Sequence, residues 1–116
     1  MRSDPPSIQS MDFAVSIINL VKELKEKRES IISNQIGRSG TSIGANIREA
    51  QYAHGKADFI SKLQIALKEA NETGYWLELL IKTGSINEEN FAPWMQPVRA
   101  SGSCWLLQFA PQKKMQ

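Results

Sequence analysis

Apolar positions recur with a helical period along most of this chain. From Phe13, the residues Ile17, Leu20, Val21 and Leu24 follow at i+4, i+7, i+8 and i+11, one face of a helix. The opposite face carries Lys22, Glu23, Lys25, Glu26, Lys27 and Glu29, a mixed-charge run that reads as a solvated surface, with Glu23 and Lys27 in the favourable i, i+4 order. From Glu29 to Ala53 the stripe is Ile32, Ile36, Ser39, Ile43, Ile47 and Ala50. Gly37, Gly40 and Gly44 each lower helix propensity by about 1 kcal/mol relative to Ala. The apolar phase nevertheless runs through them, so one unbroken helix is expected, with small residues that allow close backbone approach. His54-Gly55-Lys56 reads as a turn, and Asp58 as a first-turn carboxylate suited to the helix dipole. Beyond it, Phe59, Leu63, Ala66, Ala70, Thr73, Leu77 and Leu80 form one stripe, and Ile60, Leu67, Gly74 and Ile81 a second beside it. Two stripes on one helix predict more than one partner helix. Gly84 is a natural stop, and Asn87 with Glu88 and Glu89 reads as a new helix start.

The predicted fold is therefore all-α: an up-and-down antiparallel helical bundle with three clear helices, at about 10–28, 30–53 and 57–83, and a fourth that is degraded or irregular after 87. Residues 1–9 read as a leader, because Pro5 and Pro6 oppose helix; residues 10–91 are the bundle core; residues 92–116 are a divergent tail. With 116 residues the chain is one domain's worth, and helices this few often finish their burial in an oligomer.

Charge alters this picture only when it is divided. Up to Phe91 there are 11 basic and 12 acidic residues, a net −1; Arg99, Lys113 and Lys114 carry the total to +2. The basic balance is a property of the tail, which is weak support for a phosphate-binding surface. No apolar run approaches the roughly 18 residues of a membrane span, so no membrane partner is expected. The first ten residues lack the apolar stretch of a signal peptide, which predicts a cytoplasmic protein. Cys104 is the single cysteine and permits no internal disulfide.

The residues that carry chemistry are sparse. His54 is the only histidine, so neither Glu-x-x-His pairs for di-iron nor a zinc cluster can form. Ser39, Thr41 and Ser42 have no histidine base in pattern. The glycine-rich run from Gly37 to Gly44 contains no Gly-Lys-Ser/Thr and is not a P-loop. No catalytic residue, metal, cofactor or small-molecule substrate is expected. Glu69 and Glu72, at i, i+3, share a helix face. Antiparallel pairing across the Gly55 turn puts Arg38 level with Glu72, and Thr41 and Ser42 level with Glu69, so a charge-assisted contact between helices explains both carboxylates without catalysis.

The run Arg38-Ser39-Gly40-Thr41-Ser42-Ile43-Gly44-Ala45-Asn46-Ile47-Arg48-Glu49-Ala50 resembles the signature of the four-helix-bundle proteins encoded by intervening sequences in 23S ribosomal RNA genes. Asp58 to Leu63, Ala66 to Thr73 and Tyr75 to Leu80 match the third helix of that family, and the resemblance covers about residues 8–91. It implies a four-helix bundle assembled as a ring-like homopentamer. It also makes Arg38, Ser39, Ser42, Asn46, Glu49, Glu69, Glu72 and Trp76 the family motif and interhelical network, with Asn46 on the inner or interface side of its helix. The accessory protein of diversity-generating retroelements is similar in fold and binds nucleic acid and a reverse transcriptase. On that resemblance the expected function is a non-enzymatic homo-oligomeric binding protein for RNA or a ribonucleoprotein. Arg38, Arg48, Lys56 and Lys62 are the candidate contacts to RNA or DNA. The alternative is a protein–protein interaction module that binds no nucleic acid.

The tail departs from the family, which has a fourth amphipathic helix there. Stepping each codon back by one base turns Trp94-Met95-Gln96 into Met, Val or Leu, then Asp, then Ala. Treated the same way, Cys104-Trp105-Leu106 becomes Met, Val or Leu, then Leu, then Ala or Val. Permitted codons give a proline-free, amphipathic string over the whole tail, so the tail reads as a frameshifted fourth helix. Sequencing the gene checks this directly. The shifted frame is expected to run open through the tail without stops or proline codons, and a stop or a series of prolines in it overturns the reading.

Overall fold

The computed structural model describes residues 5–87 and contains three helices, α1 (Pro6–Glu26), α2 (Ile31–Gln51) and α3 (Lys56–Lys82). The leader's first four residues and the whole tail, with the frameshift reading and the expected fourth helix, lie outside the described residues. The all-helical, three-helix expectation holds. The start of α1 does not: the helix begins at Pro6, four residues before the expected position and inside the stretch read as a leader. A proline opposes helix only in the interior. At the first helical position its missing N–H is one that the helix leaves unpaired anyway, and its fixed φ suits the turn. Pro5 precedes it as the N-cap, and its carbonyl accepts from Ile8 and Gln9.

The two connections are built differently. After α1, Arg28 takes φ 67°, a left-handed conformation that costs a non-glycine residue about 1–2 kcal/mol. It does so to close the helix: Arg28 N–H bonds Lys25 O at 3.0 Å and Glu29 N–H bonds Leu24 O at 2.9 Å. The Glu29 carboxylate then accepts from Ile32 N–H and Ser33 N–H at 3.1 and 3.2 Å, satisfying two free donors at the start of α2. Gly55, at φ 145°, opens α3, and Asp58 accepts from the His54 N–H at 3.2 Å to hold the turn. At the far end Gly84 takes φ 80°, and Ser85 N–H bonds Leu80 O at 2.9 Å, the glycine stop that the sequence predicts.

Helix α2 packs against both neighbours and carries most of the contact between helices. The core is Phe13, Ile17, Leu20 and Leu24 from α1, Ile36, Ile43, Ile47 and Ala50 from α2, and Leu63, Ala66, Ala70, Leu77 and Leu80 from α3. Each large member contributes about 1.5–3 kcal/mol by leaving water. The glycines of α2 face α1. A Cβ placed on Gly40 would lie 2.9 Å from two carbons of Ile17, one on Gly44 would lie 3.1 Å from Ser10 Oγ, and one on Gly37 would lie 3.3 Å from Val21 Cγ2. Helix propensity is thus exchanged for close approach, and the helix stays continuous through all three positions.

This arrangement predicts substitutions of opposite sign. Gly40→Ala gains about 1 kcal/mol in propensity but forces the fully buried Ile17 out of its place, at a cost of about 1–3 kcal/mol. A net loss of up to about 2 kcal/mol in denaturant unfolding is expected from these two terms. Val21, which Gly37 faces, is only partly buried and can yield. Gly37→Ala is therefore expected to be neutral or stabilising in the same measurement.

Candidate functional site

The register between α2 and α3 brings the polar residues of both helices together. Arg38 Nη1 approaches Glu69 Oε1 at 3.2 Å, and Arg38 Nη2 bonds Glu72 Oε2. The second oxygen partner of Arg38 is held from the other side by Trp76, whose Nε1–H donates to Glu72 Oε2 at 3.1 Å. One guanidinium therefore ties two carboxylates a helical turn apart, and an indole fixes the outer one. At the next position of each helix, the Ser39 and Thr73 hydroxyls are fully buried and hydrogen-bonded at 2.9 Å, and Thr73 Oγ1 lies 2.8 Å from the Glu69 carbonyl. Among the described residues no buried side-chain polar atom lacks a partner.

The exposure of the three charges decides what the cluster is worth. The side chain of Glu69 keeps 10% of its surface, that of Glu72 30%, and that of Arg38 51%. The hydrogen bond from Arg38, then that from Trp76, holds the Glu72 carboxyl below the usual glutamate range against the opposing effect of burial. The same Glu72 hydrogen bond raises the Arg38 guanidinium further. Half of the Arg38 side chain faces water, so screening keeps the net contribution to that of a good surface pair, about 1 kcal/mol. The larger effect appears on deletion, because Glu69 is then left nearly buried and unpaired.

The other motif residues turn elsewhere. Ser42 Oγ donates to the Arg38 carbonyl at 2.7 Å, and Thr41 Oγ1 to the Gly37 carbonyl at 2.8 Å. Both hydroxyls are bonded along their own helix, so Ser42 does not bond Glu69 although the register sets them level. Asn46 is half-buried, and its Nδ2 donates to the Ser42 carbonyl at 2.9 Å. Glu49 is paired with Lys62 at 3.6 Å, and Lys62 also lies 4.0 Å from Asp58.

Of the candidate nucleic-acid contacts, Arg38 and Lys62 are thus engaged by carboxylates. Arg48 and Lys56 are exposed, and neither is paired with a carboxylate among the described residues. Arg48, Tyr52, His54 and Lys62 border a shallow depression of about 470 Å³ at the α2–α3 turn, where Tyr52 is 77% exposed. Arg48 and Tyr52 also border a groove of about 790 Å³ between α1 and α2, with Ile8, Met11, Ala14 and Ala45. Among the described residues no group of three potential ligands could hold a metal ion, and no helix is long and apolar enough to cross a membrane.

The most prominent surface feature had gone unnoticed in the sequence. Ile8, Met11, Val15 and Ile18 are 46–52% exposed and form a stripe along the outside of α1. The second stripe of α3 is less available than expected: Leu67 and Ile81 pack against the core and Gly74 is buried. The signal for the α1 stripe was present as a 3-4-3 spacing. It was overlooked because the stronger Phe13–Leu24 stripe accounted for the helix.

With this architecture in place, the family profile of the 23S rRNA-intervening sequence protein matches residues 8–103. The chain belongs to that family. A crystal structure of a protein of unknown function from the S23 ribosomal protein family of Bacteroides thetaiotaomicron VPI-5482 superposes with a TM-score of 0.80. It is 52% identical, and the alignment covers 88% of this chain and 91% of that one. No curated protein matches the chain. The match to the 23S rRNA-intervening sequence family runs to residue 103, past Phe91.

The network makes a prediction about acid. The lowered carboxyl of Glu72 contributes stability that is present above the unfolded glutamate value, about pH 4.3, and is lost as pH falls through the lower folded value. Glu72→Gln is expected to flatten this part of the stability-versus-pH curve. Arg38→Ala is expected to cost about 1–2 kcal/mol at neutral pH by stranding Glu69. Chemical denaturation between pH 3 and 7 measures both.

Proposed function

We propose that this member of the 23S rRNA-intervening sequence family is a non-enzymatic, homo-oligomeric binding module that works chiefly through protein contacts. The exposed apolar stripe of α1 carries this reading. Four half-exposed aliphatic side chains in one line are unfavourable on an isolated surface and suited to an interface. The hydroxyls that a nucleophile would need are occupied: Thr41 and Ser42 bond backbone carbonyls, and Ser39 bonds Thr73. A ring of five copies in the cytoplasm is the assembly that the family resemblance and the sequence favour.

A second reading, RNA or ribonucleoprotein binding, has one observation in its favour. Arg48 and Lys56 flank the same turn as the exposed Tyr52, and an aromatic face beside cations suits a single-stranded base stacked over a phosphate. Against it, Glu49 and Asp58 lie in the same depression and hold Lys62.

Light scattering with and without total cellular RNA, over a salt series, tests both. A multimeric mass that ignores RNA and salt is the expected result. A salt-sensitive gain of RNA that is lost in an Arg48→Ala, Lys56→Ala double variant moves the second reading ahead. A single-chain mass without RNA removes the first.

A further inference from the structure

The turn between α2 and α3 carries side chains that the fold does not use. Tyr52 caps the end of α2 at 77% exposure, and its ring is not among the residues that pack on the core. Its N–H bonds the Glu49 carbonyl at 3.1 Å, which keeps Tyr52 in the last turn of the helix. Arg48 and Glu49, four and three residues before it, are therefore its neighbours on the helix surface. All three border both the α1–α2 groove and the depression of about 470 Å³ beside α3. That volume falls in the range of small-molecule sites, roughly 300–1,000 Å³.

The two carboxylates of the depression differ in availability. Asp58 is engaged: Oδ2 accepts from the His54 N–H at 3.2 Å, and Oδ1 lies 4.0 Å from Lys62 Nζ. Glu49 accepts no hydrogen bond among the described residues. Lys62 Nζ stands 3.6 Å from its Oε1, and the side chain is 63% exposed. Both oxygens are thus open to a ligand. An open aromatic face, a guanidinium and a free carboxylate side by side match the three parts of a nucleotide: ring, phosphate and base edge. Only guanine places two adjacent donors, N1–H and the N2 amino group, on its Watson–Crick edge, in the fork that the two oxygens of a carboxylate accept. Adenine, cytosine and uracil each offer a single donor group there.

We propose that the α2–α3 turn binds a guanine nucleotide, with the unpaired base stacked on Tyr52, its Watson–Crick edge on the Glu49 carboxylate and a phosphate on Arg48. The proposal rests on the RNA reading of the same turn and adds the base that it selects. The acidic group that weakens a site for phosphate alone is here the group that reads the base, and Lys62 steadies it from the side of Oε1.

Fluorescence anisotropy tests this, with the full chain titrated into a labelled short oligouridylate that carries a central guanosine, a central inosine or uridine throughout. Inosine lacks the N2 amino group and keeps a single donor. The guanosine oligomer is expected to bind about tenfold more tightly than either of the others. Tyr52→Leu is expected to weaken it about tenfold, and Tyr52→Phe to keep it. Glu49→Gln removes a negative charge, which by electrostatics alone would strengthen all three oligomers and preserve their ratio; the expected result is that the ratio falls to about one. Unlabelled guanosine monophosphate separates the two sources of the ligand: displacement of the oligomer makes the free nucleotide sufficient, and its absence assigns the site to guanosine within a strand. Equal binding of the guanosine and uridine oligomers overturns the proposal and leaves the RNA reading standing, as does a preference that survives Glu49→Gln or a Tyr52→Leu variant that binds like the parent. Binding of neither oligomer nor free nucleotide removes both. The oligomer comparison is made on the parent chain and does not depend on the folding of any variant.

Discussion

The fold depends on how closely α1 can approach α2. At Gly40 the space that a methyl group would need is already filled by Ile17. That contact sets the depth at which α1 sits, and with it the burial of Phe13, Leu20 and Leu24 in the common core. Helix α2 accepts a poor intrinsic propensity to make this possible, and tertiary packing supplies what propensity withholds. The same helix presents a wholly different surface to α3. There Arg38 and Ser39 meet Glu69, Glu72 and Thr73, and the match is polar and directional. One helix therefore joins its neighbours by two mechanisms: shape on one side, hydrogen-bond geometry on the other.

The polar side fixes register more sharply than the apolar side. A slip of one turn between α2 and α3 would take Arg38 from at least one of its two carboxylates and leave the Ser39 and Thr73 hydroxyls buried without each other. An unpaired buried hydroxyl or carboxylate costs more than the pair gains, so the network acts mainly by penalising alternatives. Trp76 extends this control, since its indole N–H holds the Glu72 oxygen that also meets Arg38.

Much of this was legible in the sequence, for a physical reason. Helical period is a long-range, redundant signal, so α2 and α3 could be placed within a few residues of their observed bounds. Antiparallel register follows from one turn position, and it brought Arg38 to Glu72. Errors arose where a single residue acts through its exact backbone place. Pro6 was read as a helix breaker and is the first residue of α1. The Ser42 hydroxyl and the Asn46 amide bond backbone carbonyls of their own helix, and sequence does not show which way such a group turns. The outward stripe of α1 was overlooked because one apolar face sufficed to explain that helix.

The contact between Gly40 and Ile17 has a consequence for how such a chain can change over time. The two positions share one volume. A side chain gained at 40 has to be matched by atoms lost at 17, and neither step is tolerated well alone. Drift at this crossing is therefore expected to proceed in coupled pairs, while Gly37, facing a yielding Val21, is free to vary by itself. Among relatives of this fold, the pairing of residue sizes at these two positions would trace the distance between the first two helices.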